Sequence, residues 1–286
     1  MAFVPVSGEN SAPPANGRRP ARARGRSGDG AAQYHTRALM RGLELLSCFQ
    51  PTTPELSLTD CAERANLDKA TAFRLLSCLT EAGFLHRDPE RGLYRVGPAL
   101  LPIASAFHEG DALSAIADAH VRRLAAETGQ TATLSVRDGA TTVNILVAYS
   151  DRPLRRLSYP GERFAIHAAS VGKAIAAHLH PAELEPLLGD GELPRFTART
   201  LVSAAAVRAE LEKVRAQGYA LDDEEAIDGV RCVGAVVRDY RARPVAAVSV
   251  AGAAGEFVGE ALDRYAAAVM RAAAAISAHL GFQPRD

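Results

Sequence analysis

The chain contains no Trp, and its 7 Tyr and 9 Phe keep aromatics at 6% of 286 residues. Few flat rings are available to stack on unpaired bases, which argues against a single-stranded nucleic acid target. Its 4 cysteines stand at positions 48, 61, 78 and 232, too few and too scattered for a disulfide framework or a Cys-x-x-Cys metal pair. Long apolar runs are missing too. The longest stretch of small or apolar residues, 244–255, contains Ser249, Gly252 and Gly255 and falls short of the ~18 residues needed to cross a bilayer. The first residues lack a basic segment feeding an apolar one, with Pro5, Ser7 and Gly8 interrupting at once, so no export signal and a cytoplasmic location are expected.

Catalytic signatures are equally scarce. No G-x-S-x-G elbow accompanies His167 and Ser170, the pair His178-x-His180 has no H-E-x-x-H context, and neither a P-loop nor G-x-G-x-x-G is present. An enzyme is not expected, nor a metal or other cofactor.

An excess of either charge is also lacking, since 33 Lys+Arg balance 33 Asp+Glu. The balance hides a gradient: residues 1–35 carry +3, residues 36–97 carry zero and residues 98–286 carry −3. Residues 1–35 hold Arg18, Arg19, Arg22, Arg24 and Arg26 among Gly, Pro, Ala and Ser, with almost nothing large and apolar to bury. A disordered basic arm is expected there, either a plain solvated leader or a phosphate contact.

From Thr36 the pattern turns helical. Leu39, Leu43, Leu46 and Phe49 predict one apolar stripe, ended by Pro51 and Pro54. Ser57 with Asp60 three residues on predicts a capped helix with Leu58, Cys61, Ala62 and Ala65 on one face. Asn66 tolerates a left-handed reversal, Asp68 can cap the next helix, and Ala72, Leu75, Leu76 and Leu79 repeat the apolar spacing up to Gly83. Two helices across a tight turn make a helix-turn-helix. The second leaves Lys69, Ala70, Thr71 and Arg74 outside in its first two turns, where a recognition helix meets base edges and phosphates. Residues 84–87 and 93–96 flanking the turn 88–92 predict a hairpin, a wing carrying Arg87, Arg91 and Arg95 for phosphate or minor groove. The acids Glu44, Glu55, Glu63 and Glu90 are expected to point elsewhere.

These segments, together with Leu124-Ala125-Ala126-Glu127-Thr128-Gly129, His167-Ala168-Ala169-Ser170-Val171-Gly172-Lys173-Ala174, Gly218-Tyr219-Ala220-Leu221-Asp222-Asp223-Glu224-Glu225 and Ala246-Ala247-Val248-Ser249-Val250, resemble IclR-type transcription regulators. The resemblance runs collinearly over residues 36–280. It implies an α+β chain: a winged helix-turn-helix at 36–97, a linker helix at 98–110 and a GAF/profilin-like effector-binding and oligomerisation domain at 111–286, built on an antiparallel sheet. The residues agree, with hairpins over 132–149 and 230–250 and helices over 113–128, 207–217 and 260–280. Pro98 and Pro102 predict a kinked linker, or a helix that begins near Pro102.

The same resemblance implies a small-molecule site at Ser170, Val171, Asp222, Cys232 and Ser249, and DNA contacts that take in Ser57 and Thr59 beside Lys69, Ala70, Thr71, Arg74, Arg87 and Arg91. A loop entering a helix offers N–H groups and a positive dipole end to an organic acid. Each residue also has a purely structural reading: Ser170 as an N-cap, Cys232 as a small buried hydrophobe, Asp222 as the start of a solvated acidic bend. The expected function is a ligand-responsive regulator of double-stranded DNA, acting on a palindromic operator as a homodimer or a dimer of dimers. The alternatives are a metabolite-binding module that acts through protein partners and a redox sensor built on Cys232.

Overall fold

The computed structural model describes residues 28–110, 112–153, 155–189 and 191–283. The chain divides after Leu100 into two compact units.

In the first unit, α1 spans Gly28–Ser47, starting earlier than the disordered arm expected to residue 35 allows. Ala31, Ala32 and Gln33 are strong helix formers that extend the helix backwards. The five arginines at 18–26 lie outside the described residues. Leu45, roughly opposite Leu43 around the helix, enters the core, while Leu39 and Leu43 stay exposed at 63% and 48%. The expected stripe is therefore rotated in its first half, because α2 (Leu58–Arg64) and α3 (Lys69–Glu81) cover only one side of α1.

Local chemistry sets the turn between α2 and α3. Ser57 and Asp60 form a capping box: the Asp60 N–H donates to Ser57 Oγ at 3.1 Å and the Ser57 N–H to Asp60 Oδ2 at 2.9 Å. Asn66 adopts φ 49°, and Asp68 accepts the Thr71 N–H at 2.8 Å to start α3. Leu45, Leu56, Cys61, Leu76, Leu85 and Tyr94 form the core beneath. The wing has three strands in the antiparallel order β1-β3-β2, namely β1 Glu55–Leu56, β2 Leu85–Arg87 and β3 Tyr94–Val96.

The second unit opens with α4, Leu101–Gly110, after a single 3-10 turn at Pro98–Leu100. Pro102 sits in the first turn of α4, where a missing N–H breaks no intrahelical bond. After α5 (Ala112–Thr128) comes a six-stranded antiparallel sheet of order β6-β5-β4-β9-β8-β7. Its strands are β4 Thr131–Asp138, β5 Thr141–Ala148, β6 Arg163–Ala165, β7 Ala220–Asp223, β8 Val230–Arg238 and β9 Pro244–Ala253. Side chains alternate across it. Leu134, Val233, Ala235, Val237, Val248 and Val250 pack with α5 and with α9, Glu260–His279. Ala247 turns the other way, into a second core with α6 (Ser170–Ala176), α7 (Pro181–Leu188) and α8 (Ala204–Gln217). The α+β class is as expected, and small and hydroxyl residues at alternate positions of β4 and β9 leave room on that second face.

Candidate functional site

Two separate sites emerge, one in each unit. On α3, Lys69, Ala70 and Arg74 are exposed and Thr71 is half-buried. Arg74 Nη2 donates to Thr71 Oγ1 at 3.4 Å, which aligns the guanidinium along the helix surface. Arg37 and Arg41 of α1, one turn apart, line a cleft with Thr71, Arg74 and Cys78. Sequence reading missed these two cations, although their i, i+4 spacing on a helix was a usable signal. Ser57 donates its hydroxyl to Asp60 Oδ2 at 2.6 Å, so its side chain is already committed to the cap, and this bond holds the Asp60 carboxyl below the usual carboxylate range. Thr59 is half-buried in the first turn of α2.

On the wing, Arg87 lies 5.7 Å above the Tyr94 ring. Arg91 donates to Glu55 Oε2 at 2.8 Å. Glu55 thus points at the wing and not away from it as expected, because β1 pairs with β3 and carries it to the hairpin. Both partners are exposed, and such a pair holds by about 0–1 kcal/mol, weak enough for a phosphate to displace.

In the second unit, Ser170, Val171, Asp222, Cys232 and Ser249 line one cavity, together with Thr133, Asn144, Arg156, Ser158 and Phe164. The register explains the convergence. Asp222 lies opposite Cys232 on β7 and β8, and Thr133 opposite Ser249 on β4 and β9, with the two hydroxyls 2.9 Å apart. Gly234 lets α6 approach the sheet: a Cβ there would stand 3.0 Å from the Ser170 carbonyl carbon and 3.1 Å from Val171 N. The N-cap of α6 is Ala169 and not Ser170, since the Ala169 carbonyl already accepts the Lys173 N–H at 2.9 Å. No side chain caps α6, and its first residues, Ser170 and Val171, line the cavity.

Asp222 is no solvated bend but a buried strand residue, 2% exposed. Burial pushes its carboxyl up to about 7, against the opposing pull of the Glu225 and Ala226 N–H groups, which donate to Oδ1 at 2.8 and 3.2 Å, and of the Lys173 charge. Near neutral pH it is therefore partly protonated and can donate to a ligand carboxylate instead of repelling it. Burial, then the Asp222 charge, drives the Cys232 thiol well above its ordinary range, leaving little thiolate for redox chemistry.

Arg156 and Glu162 escaped the sequence reading. Arg156 Nη2 donates to Glu162 Oε1 at 2.6 Å, and Glu162 Oε2 accepts from Asn144 Nδ2 at 3.3 Å. Asn144 Oδ1 in turn accepts the Ser135 hydroxyl at 2.7 Å. An Arg pair inside a Pro- and Ser-bearing loop was the only signal available. Lys173, in the middle of α6, is fully buried and pairs with Glu225, whose Oε2 finds no partner among the described residues. This pair ties α6 to the loop that follows Asp222.

The remaining polar candidates serve structure. His167 Nε2 donates to the Pro194 carbonyl at 2.9 Å, and His180 caps α7 by accepting the Ala182 N–H at 3.2 Å. No group of metal-ligating side chains occurs among the described residues, and no described helix is long and apolar enough to cross a membrane.

Residues 38–89 match the model of the IclR helix-turn-helix domain, and residues 107–278 that of the bacterial transcriptional regulator IclR C-terminal domain. The chain is 34% identical over 270 residues to the HTH-type transcriptional regulator BhcR of Paracoccus denitrificans, covering 94% of this chain and 96% of that one. It is 31% identical over 271 residues to the transcriptional repressor IclR of Escherichia coli, covering 94% and 97%. Among solved structures, the Thermotoga maritima IclR crystal structure superposes with a TM-score of 0.69 at 29% identity, covering 87% of this chain and all of that one. These relatives are regulators and not enzymes, and they share both of the units described above. The chain therefore belongs to the IclR family of DNA-binding bacterial transcription regulators.

Proposed function

We propose that this regulator senses a small organic acid in the cavity of its second unit and that occupancy changes its hold on a palindromic operator. The observation that carries the reading is the convergence of Ser170, Val171, Asp222, Cys232 and Ser249, from one helix and three strands, on a single cavity whose wall mixes polar groups with apolar ones. An uncapped helix start and a partly protonated carboxyl together suit a carboxylate ligand.

Lys69, Ala70, Thr71 and Arg74 enter the major groove, with Arg87 and Arg91 on adjacent backbone and Ser57 and Thr59 at the start of α2 beside it. The exposed Leu39, Met40 and Leu43 of α1, and Leu101, Ile103 and Phe107 of α4, support assembly as a homodimer or a dimer of dimers, which matches a two-fold operator. The protein works in the cytoplasm, where its operator is. The raised pKa of Cys232 weighs against the redox alternative.

Footprinting of the full chain on its own promoter tests the DNA half. Arg74→Ala should lose about 10- to 100-fold in operator affinity, the worth of one base contact, while its circular dichroism stays that of the wild type. Full protection by Arg74→Ala would refute the assignment of α3 as the reading helix.

A further inference from the structure

A second cleft, of about 650 Å³, opens in the same unit at the far ends of the elements that build the effector cavity. Its walls are His178 just past α6, Arg215 in the last turn of α8, Arg238 at the end of β8, Tyr240 and Arg241 in the turn before β9, and Phe282 beyond α9. Positive charge dominates it. Arg215 is committed, bonded to Glu212 and donating to the Ala177 carbonyl at 2.6 Å. The neighbouring acid Asp239 is committed as well, to Arg243 and to the Arg241 and Arg243 N–H groups.

Arg238 and Arg241 have no carboxylate within 4.0 Å among the described residues. Each instead lies over a ring, Arg238 at 5.3 Å from the centre of Phe282 and Arg241 at 5.2 Å from that of Tyr240. Arg238 is also half-buried, and burial draws its guanidinium below its ordinary pKa. A half-buried guanidinium with no counter-charge among the described residues gains from an anion brought to it. Two planar forks on ring faces leave their N–H edges free for oxygens, which is the geometry that suits phosphoryl and carboxylate groups.

We propose that this cleft is a second ligand site, separate from the effector cavity, that takes a small anion with at least two negative charges, a phosphorylated or polycarboxylic metabolite, between Arg238 and Arg241. The two sites share elements but no lining residue: α6 runs from Ser170 in the cavity towards the carbonyl of Ala177 held by Arg215, and β8 runs from Cys232 to Arg238.

Isothermal titration of the full chain at fixed ionic strength, with pyrophosphate and citrate in separate arms and acetate as the single-charge control, tests the site. The expected result is saturable binding, one per chain, by at least one of the two polyanions and none by acetate; which arm binds identifies the phosphoryl or polycarboxylate source. Arg238→Gln with Arg241→Gln should weaken it tenfold or more, and Arg241→Gln alone, at an exposed position, by several-fold, with circular dichroism unchanged. Asp222→Asn, in the other cavity, should leave it unchanged. Absence of saturable binding, equal affinity in the double variant, or loss on Asp222→Asn would overturn the proposal. So would a double variant that changes only the oligomeric mass, which would make the cleft a contact between copies of this chain.

Discussion

Asp222 offers the most quantitative handle on the effector cavity. An unfolded Asp ionises near 3.8, whereas this one is pushed up to about 7 by burial. At about 1.4 kcal/mol per pH unit, the gap of roughly three units corresponds to ~4 kcal/mol. The sign follows from proton counting: between the two values the folded state keeps a proton that the unfolded state has lost, so folding weakens as pH rises. The contribution is whole below pH 3.8 and gone once pH has passed through about 7. Asp222→Asn removes the titration yet keeps an oxygen for the Glu225 and Ala226 N–H groups. In urea titrations followed by circular dichroism, the stability of wild type minus that of Asp222→Asn should fall by up to about 4 kcal/mol between pH 4 and 8. Carbon NMR should place the titration of the Asp222 carboxyl near neutrality. Affinity for a carboxylate ligand should likewise fall about tenfold per pH unit above that midpoint, since the protonated form does the binding. A midpoint below 5 with a pH-independent stability difference would refute the argument that burial governs this site.

Three further outcomes follow from the geometry. Gly234→Ala should cost about 1–3 kcal/mol in denaturant unfolding, because its new Cβ meets backbone of α6 that cannot swing aside, and the same change should weaken effector binding. Lys173→Met strands the buried Glu225 carboxylate and should cost about 3–5 kcal/mol by the same assay, with Lys173→Met plus Glu225→Leu recovering most of it. Arg91→Gln should lower affinity for promoter DNA and flatten its dependence on salt by about one counterion, with sequence preference unchanged, when binding is followed by fluorescence anisotropy.

The parts of the fold legible in the sequence were those set by near neighbours. Ser57 with Asp60, Asn66 at the turn and Asp68 at the start of α3 each act within four residues, so their pattern announces their role. Leu45 was passed over for Leu39 and Leu43 because an apolar stripe does not say which side a partner will cover. Glu55 was misjudged because a two-residue strand carries no periodicity, yet its pairing with β3 decides where the carboxylate goes. In the cavity, alternating hydroxyl and small residues on β4 and β9 were visible in the sequence. The role of Arg156 was not, since it depends on Glu162 and Asn144 meeting it from an irregular loop and another strand. The burial of Lys173 depends on Glu225, 52 residues away, and the raised proton affinity of Asp222 comes from its own burial, against which the Lys173 charge pulls.

The proposed response to a ligand is a free-energy coupling between the cavity of the second unit and operator binding by the first. Anisotropy titrations of labelled operator with the full chain, with and without a saturating acid identified by thermal shift, measure it directly. The acid should change operator affinity by about 5- to 150-fold, the range of an allosteric coupling of 1–3 kcal/mol, and the change should vanish in Asp222→Ala while DNA affinity without ligand is kept. Tight binding of the acid with operator affinity unaltered would contradict it.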